Sequence, residues 1–223
     1  MTHEDVKALI LKEKLVVLYR GVPVEKMAEA AKALVRGGVK LLEITFNQTA
    51  ADPAGDYKKA IDTVRKAVGD QLLLGAGTVL TVDQVQAVYE AGGQFILSPN
   101  TSEKVIRKTR ELGMVSVPGA MTPSEIVNAW DWGADMVKLF PADDLGYHYI
   151  WNIRGPLPHI PLLCTGGVNP ETIPQFLSHG AGGVGTGISI LKKELLAADD
   201  FDGIEKLARA HVQAVQDFVN SGK

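Results

Sequence analysis

The run Met136-Val137-Lys138-Leu139-Phe140-Pro141-Ala142 sets a lysine in the middle of an apolar stretch short enough to be one strand, closed by a proline. Lysine rarely occupies a fully buried position without a partner. If the run is a buried strand, Lys138 either stretches its stem along apolar surface to keep its nitrogen in water, or sits in the interior for a purpose. In an apolar pocket its pKa falls, and the neutral amine is a nucleophile able to form a Schiff base with a carbonyl substrate. What surrounds the strand decides between the two.

Outward from this run, short apolar stretches alternate with helical patterns along the whole chain. Val6, Leu9 and Ile10 fall at helical spacing after Thr2, a possible N-cap, and predict a leading helix from Thr2 to Lys14. The first strand is Leu15–Arg20, followed by an alanine-rich helix over Val24–Arg36 that Gly37-Gly38 stops. Leu41–Phe46 is the second strand, then a polar loop from Asn47 to Asp56 and a helix over Tyr57–Val68. Further strands are expected at Leu72–Leu74, Phe95–Ser98, Met114–Val117, the Lys138 run, Leu162–Cys164 and Gly182–Val184. Helices are expected over 82–91, 102–112, after Thr122-Pro123-Ser124, over 170–178 and over Gly203–Val219, with a looser stretch through Arg154-Gly155-Pro156. Apolar strands each followed by a helix imply a parallel sheet covered on its outside. Eight such units in 223 residues fit an α/β fold, a (β/α)8 TIM barrel with an extra N-terminal helix, as one domain over 1–223. The alternative, an open doubly wound sheet, lacks the expected G-x-G-x-x-G after its first strand.

A net charge near −3 gives no electrostatic reason to expect nucleic acid or an anionic membrane. The single cysteine, Cys164, excludes an internal disulfide and suits a reducing cytosol, and the N-terminus lacks a signal-peptide pattern. No apolar run approaches the roughly 18 residues of a membrane span. The expectation is a cytoplasmic protein. The five histidines are scattered without metal-ligand spacing, so no metal is expected, and no P-loop supports a nucleotide.

In a (β/α)8 barrel, function sits at the carboxyl ends of the strands. Charged residues inside the strands are few, Arg20, Glu43 and Lys138, and the barrel would bring all three to one mouth. An amine, a carboxylate and a guanidinium suit chemistry on an α-keto acid: Lys138 attacks the keto carbon, Glu43 shuttles protons, and Arg20 holds the carboxylate. A duller reading makes Glu43 and Lys138 a buried ion pair that only satisfies itself, and Thr78, Thr122 and Thr165 mere helix caps. Thr165-Gly166-Gly167-Val168 and Gly185-Thr186-Gly187 follow strands seven and eight, where barrels commonly bind phosphate through backbone N–H groups.

With these residues in place, the chain resembles the class I aldolases acting on 2-keto-3-deoxy-6-phosphogluconate and 4-hydroxy-2-oxoglutarate. The resemblance spans nearly the whole chain. It rests on Arg20-Gly21, Leu42-Glu43-Ile44-Thr45-Phe46, Gly75-Ala76-Gly77-Thr78-Val79-Leu80, Ser98-Pro99, Pro118–Pro123, Val137–Ala142, Arg154–Pro158 and Thr165–Val168. It implies a homotrimer of (β/α)8 barrels that needs no cofactor and cleaves a 2-keto-3-deoxy sugar acid to pyruvate and an aldehyde. It also implies roles: Lys138 as the Schiff-base lysine, Glu43 as the general acid and base, and Arg20, Thr78, Pro99, Thr122, Phe140 and Thr165 around the pyruvate end. Gly166, Gly167, Gly185, Thr186, Gly187 and Ser189 match the phosphate side.

Two departures stand out. After the second strand this chain has Asn47-Gln48 and a longer loop, Thr49 to Asp56, where many members carry a basic or hydroxyl residue. After the eighth strand Gly187 is followed by Ile188, with Ser189 one place later, where members often have serine directly after glycine. Both leave open an unphosphorylated substrate. Competing readings are a sugar-phosphate isomerase or epimerase, which has no use for an amine buried in strand six, and a non-catalytic barrel in which Lys138 only neutralises a bound acid.

Overall fold

A computed structural model describes residues 1–222. Its strands are β1 (Leu15–Tyr19), β2 (Leu41–Thr45), β3 (Leu73–Gly77), β4 (Phe95–Leu97), β5 (Val115–Val117), β6 (Gly119–Ala120), β7 (Val137–Leu139), β8 (Leu162–Thr165) and β9 (Gly183–Thr186). Every pairing between them is parallel. The sheet order, β5-β4-β3-β2-β1-β9-β8-β7-β6, begins and ends on two halves of one stave, because only Pro118 separates β5 from β6. The sheet therefore closes on itself with eight staves, a TIM-barrel-like α/β fold. Proline has no N–H for a ladder, yet the Pro118 carbonyl accepts from the Lys138 N–H at 2.8 Å, so the interruption still anchors its neighbour.

The helices are α1 (His3–Glu13), α2 (Val24–Arg36), α3 (Pro53–Val68), α4 (Val82–Glu90), α5 (Glu103–Glu111), α6 (Pro123–Asp131), α7 (Ala142–Leu145), α8 (Tyr147–Arg154), α9 (Ile173–Ser178), α10 (Lys193–Ala197) and α11 (Phe201–Asn220). Five depart from the sequence reading. Helix α3 starts at Pro53 rather than Tyr57, because the Asp52 carboxylate accepts from the Gly55 N–H and proline suits the first helical position. The stretch expected to be loose after Pro141 forms α7 and α8, and α9 begins three residues later than expected. Helix α10 is one the periodicity did not show. Strand β3 also runs on through Gly75-Ala76-Gly77, since β2 pairs with it along five residues.

Side chains alternate faces along a strand, and this parity builds the barrel. Val17, Leu42, Ile44, Leu74 and Ala76 pack outward under the helices of one side, and Val137, Leu139, Leu162, Cys164 and Val184 do so on the other. Val16, Leu41, Leu73, Phe95, Leu97, Val115, Val117, Met136 and Leu163 fill the interior, where Val6 and Ile10 of α1 join them. The amino end of the barrel is thus plugged by α1, and burial of these apolar side chains stabilises it by about 25 cal/mol per Å² removed from water. Two residues further along the same inner face come Glu43 after Leu41, Lys138 after Met136 and Thr165 after Leu163. The interior changes from apolar to polar at that level.

Asp135 adds a further buried charge at the amino end of β7. Its carboxylate accepts from the Ser116 N–H at 2.9 Å and meets Arg110 at 3.1 Å and His3 of α1 at 3.0 Å. Among the described residues, no helix is long and apolar enough to cross a membrane.

Candidate active site

Lys138 is 7% exposed and Glu43 is 2% exposed. Burial lowers the pKa of the Lys138 ammonium; the Glu43 carboxylate opposes that shift, and the Arg20 guanidinium adds to it. Its nitrogen lies 4.5 Å from the centroid of the Phe140 ring. Among the described residues, no carboxylate lies within salt-bridge distance of that nitrogen. The amine is neither a snorkelling surface lysine nor half of a self-satisfying ion pair.

Glu43 has the complementary perturbation. Burial raises its pKa from 4.5 to about 7, against the Thr45 hydrogen bond and the charges of Lys138 and Arg20. Thr45, two residues on and on the same face, donates to the carboxylate at 2.8 and 3.0 Å. Room for the carboxylate comes from β3: a Cβ at Gly77 would overlap Glu43 Oε1. A carboxyl poised near neutrality beside an amine held below its ordinary range is the pairing that acid–base chemistry at neutral pH requires.

A cavity of about 690 Å³ opens over this level. Lys138, Phe140, Thr165, Arg20, Thr78 and Pro99 form one part of its wall, and the glycine turns after β8 and β9 the other. The Thr165 hydroxyl is buried there with no hydrogen-bond partner, and buried polar groups are seldom left so. Arg20 donates to Thr78 Oγ1 at 2.9 Å. Thr78 has φ +55°, an unusual backbone for a β-branched residue, and its carbonyl accepts from Gln48 at 2.6 Å. Gln84 donates to Gln48 in turn at 2.9 Å, so the start of the loop after β2 is tied down at the rim of β3. Arg20 and Thr78 also border a second cavity of about 650 Å³, towards α2 and α3, that includes Asn47, Gln48 and Lys59.

Gly166 and Gly167 have φ of +107° and +65°, a left-handed turn that glycine permits. No backbone carbonyl among the described residues accepts from the N–H groups of Gly167, Val168, Ile188 or Ser189. Gly185, Thr186 and Gly187 complete that side of the wall.

Two expected ligands of the substrate are otherwise engaged. Thr122 lies outside the cavity wall: its hydroxyl donates to Glu125 at 2.8 Å and accepts from the Glu125 N–H, capping α6. Ser189 borders the cavity, but its hydroxyl is shared between Thr186, at 2.7 Å, and the buried His211 of α11, at 2.8 Å. The single-residue offset after Gly187 turns that hydroxyl back into the fold. Thr45 and Gly77 are the partners of Glu43 that the sequence reading did not assign. Thr45 shares the parity of Glu43, a signal in the sequence, whereas the cradle at Gly77 depends on a neighbouring stave.

The profile of the family "Aldolase: KDPG and KHG aldolase" matches residues 6–207. Over 206 residues the chain is 31% identical to the 2-dehydro-3-deoxy-6-phosphogalactonate aldolase of Escherichia coli, covering 92% of this chain and 96% of that one. It is 34% identical to the KHG/KDPG aldolase of the same organism, over 86% of this chain and 87% of the relative. Among solved structures, a KDPG aldolase from Legionella pneumophila with pyruvate captured as a covalent carbinolamine superposes with a TM-score of 0.81. That protein is 25% identical, with 92% of this chain and 96% of that one covered.

Proposed function

This chain belongs to the KDPG and KHG aldolase family, and from that premise we propose that Lys138 forms a Schiff base with the keto carbon of a 2-keto-3-deoxy sugar acid, which the enzyme cleaves reversibly to pyruvate and an aldehyde. The observation that carries this reading is the buried Lys138 amine, without a salt-bridge partner, on the wall of a cavity. Its lowered pKa supplies the neutral nucleophile.

The nitrogen adds to C2 of the substrate to give a carbinolamine. Loss of water leaves a protonated imine, whose positive charge draws in the electrons of the C3–C4 bond. Ionised Glu43, through a water molecule, takes the proton of the C4 hydroxyl as that bond breaks, and the aldehyde departs. The remaining enamine is protonated at C3 by Glu43, and hydrolysis of the imine releases pyruvate and restores the amine. A pKa of about 7 lets one carboxyl perform both transfers. Arg20, Thr78 and the free Thr165 hydroxyl bind the pyruvate end, with Phe140 and Pro99 as its apolar walls. The turns Gly166-Gly167 and Gly185-Thr186-Gly187 hold the far end through backbone N–H groups.

Lys138→Ala should abolish cleavage. Glu43→Gln should slow it by about 10²–10⁴-fold, the usual worth of a positioned acid–base group, while still allowing imine formation. Steady-state release of pyruvate from a panel of 2-keto-3-deoxy acids measures both; wild-type rates in Lys138→Ala would end the proposal. The family resemblance extends the proposal to a cytosolic homotrimer. Light scattering on the purified protein tests it.

A further inference from the structure

We propose that the far end of the cavity selects an uncharged, unphosphorylated hydroxyaldehyde moiety over its phosphate ester, with Ile188 as the residue that sets this preference. The inference rests on the aldolase reading above and specifies the half of the substrate that Lys138 does not touch.

Ile188 follows the last glycine of the turn after β9, borders the cavity and is 81% exposed. The hydroxyls beside it are withheld. Ser189 is held by Thr186 and His211, and Thr186 also donates to the Val168 carbonyl at 3.1 Å. The Asn169 side-chain oxygen accepts from the N–H groups of Glu171 and Thr172, both at 3.0 Å. Among the described residues bordering the cavity, Arg20 and Lys138 are the basic ones. Strand β1 lies beside β9, but Arg20 donates to Thr78 at the end of β3, on the other side of β1. Asp143 adds the opposite charge, its side chain packed so closely on Gly166 and Gly167 that a Cβ at either would collide with it.

A phosphate ester placed here would meet backbone N–H groups, an apolar side chain and a nearby carboxylate, with no side-chain cation or free hydroxyl to balance its charge. Backbone N–H groups hold an anion well, but here the Asp143 carboxylate packed on Gly166 and Gly167 opposes that charge and the Ile188 side chain offers its outer oxygens no donor. A hydroxyl-bearing aldehyde asks less: the free N–H groups can donate to its oxygens, and Ile188 can cover its carbon chain.

The test is aldol addition of pyruvate to glyceraldehyde and to glyceraldehyde 3-phosphate. The wild-type enzyme should favour the free aldehyde by about tenfold or more in kcat/KM, within the range that one mismatched subsite gives. Ile188→Lys, at a position exposed enough to accept a long side chain without disturbing the fold, should cut that ratio by about tenfold by supplying the missing cation. A wild-type ratio of one or less, or a ratio that Ile188→Lys leaves unchanged, overturns the inference. Trapping of pyruvate on Lys138 keeps the two claims apart. If the adduct forms while the phosphate ester is preferred, only this inference fails; if no adduct forms, the aldolase reading fails with it.

Discussion

Glu43 occupies its site at a cost that its proposed role as acid and base requires. Its carboxyl titrates near 7 in the fold against 4.5 ordinarily, so the folded chain holds that proton more tightly than the unfolded one. The contribution to stability is therefore most favourable below pH 4.5 and is lost as pH rises through 7. Glu43→Gln removes the ionisation, so the variant should match the wild type at about pH 4 and below and exceed it by up to about 3 kcal/mol at pH 8. Melting temperatures across that range read the difference, and a variant that is less stable at pH 8 would contradict the burial argument. The same carboxyl should give the acidic limb of kcat/KM, falling as pH drops below about 7, because the protonated form cannot accept the C4 proton. Gly77 enforces the geometry. Gly77→Ala should displace the carboxylate and lower kcat by at least about 10²-fold, as misplacing a catalytic group commonly does, while leaving pyruvate able to reach Lys138.

At the level of elements, each stave is graded along its inner face. Leu41, Met136 and Leu163 lie at the packed apolar level, and Glu43, Lys138 and Thr165 two residues on at the polar level. That gradient was legible in the sequence, because a charge inside an apolar run is costly to bury and stands out. The direction of hydroxyls was not. Thr122 and Ser189 read as ligands, yet a capping box and the contact with His211 on α11 decide where they point. Asp135 was missed for a related reason: an acid just before a strand looks like any loop residue until Arg110 and α1 fold over it. Its carboxylate ties α1 to the closed end of the barrel, opposite the cavity. Asp135→Ala should cost about 3 kcal/mol by orphaning Arg110 and the Ser116 N–H, with kcat per folded molecule unchanged. Denaturant melts beside activity assays separate the two, and a loss of kcat without a loss of stability would refute the assignment.

For the molecule as a whole, the alternation of short apolar runs with helical patterns sufficed to read eight staves and their covering helices. Element ends were legible less well, since pairing carried β3 through two glycines that alone suggest a turn, and α10 is too short to show a period. What the closed barrel adds is convergence. Residues 20, 78, 138 and 165 lie far apart in the chain, and parallel pairing gathers them on one cavity wall, with residue 43 buried close to Lys138 and Arg20. The account depends on Lys138 being the nucleophile among all the lysines of the chain. Incubating the protein with pyruvate, reducing with borohydride and mapping the peptides tests that directly. A reduced pyruvate adduct confined to the peptide that contains Lys138, and missing from Lys138→Ala, is the expected result. An adduct on a different lysine, or none at all, would contradict it.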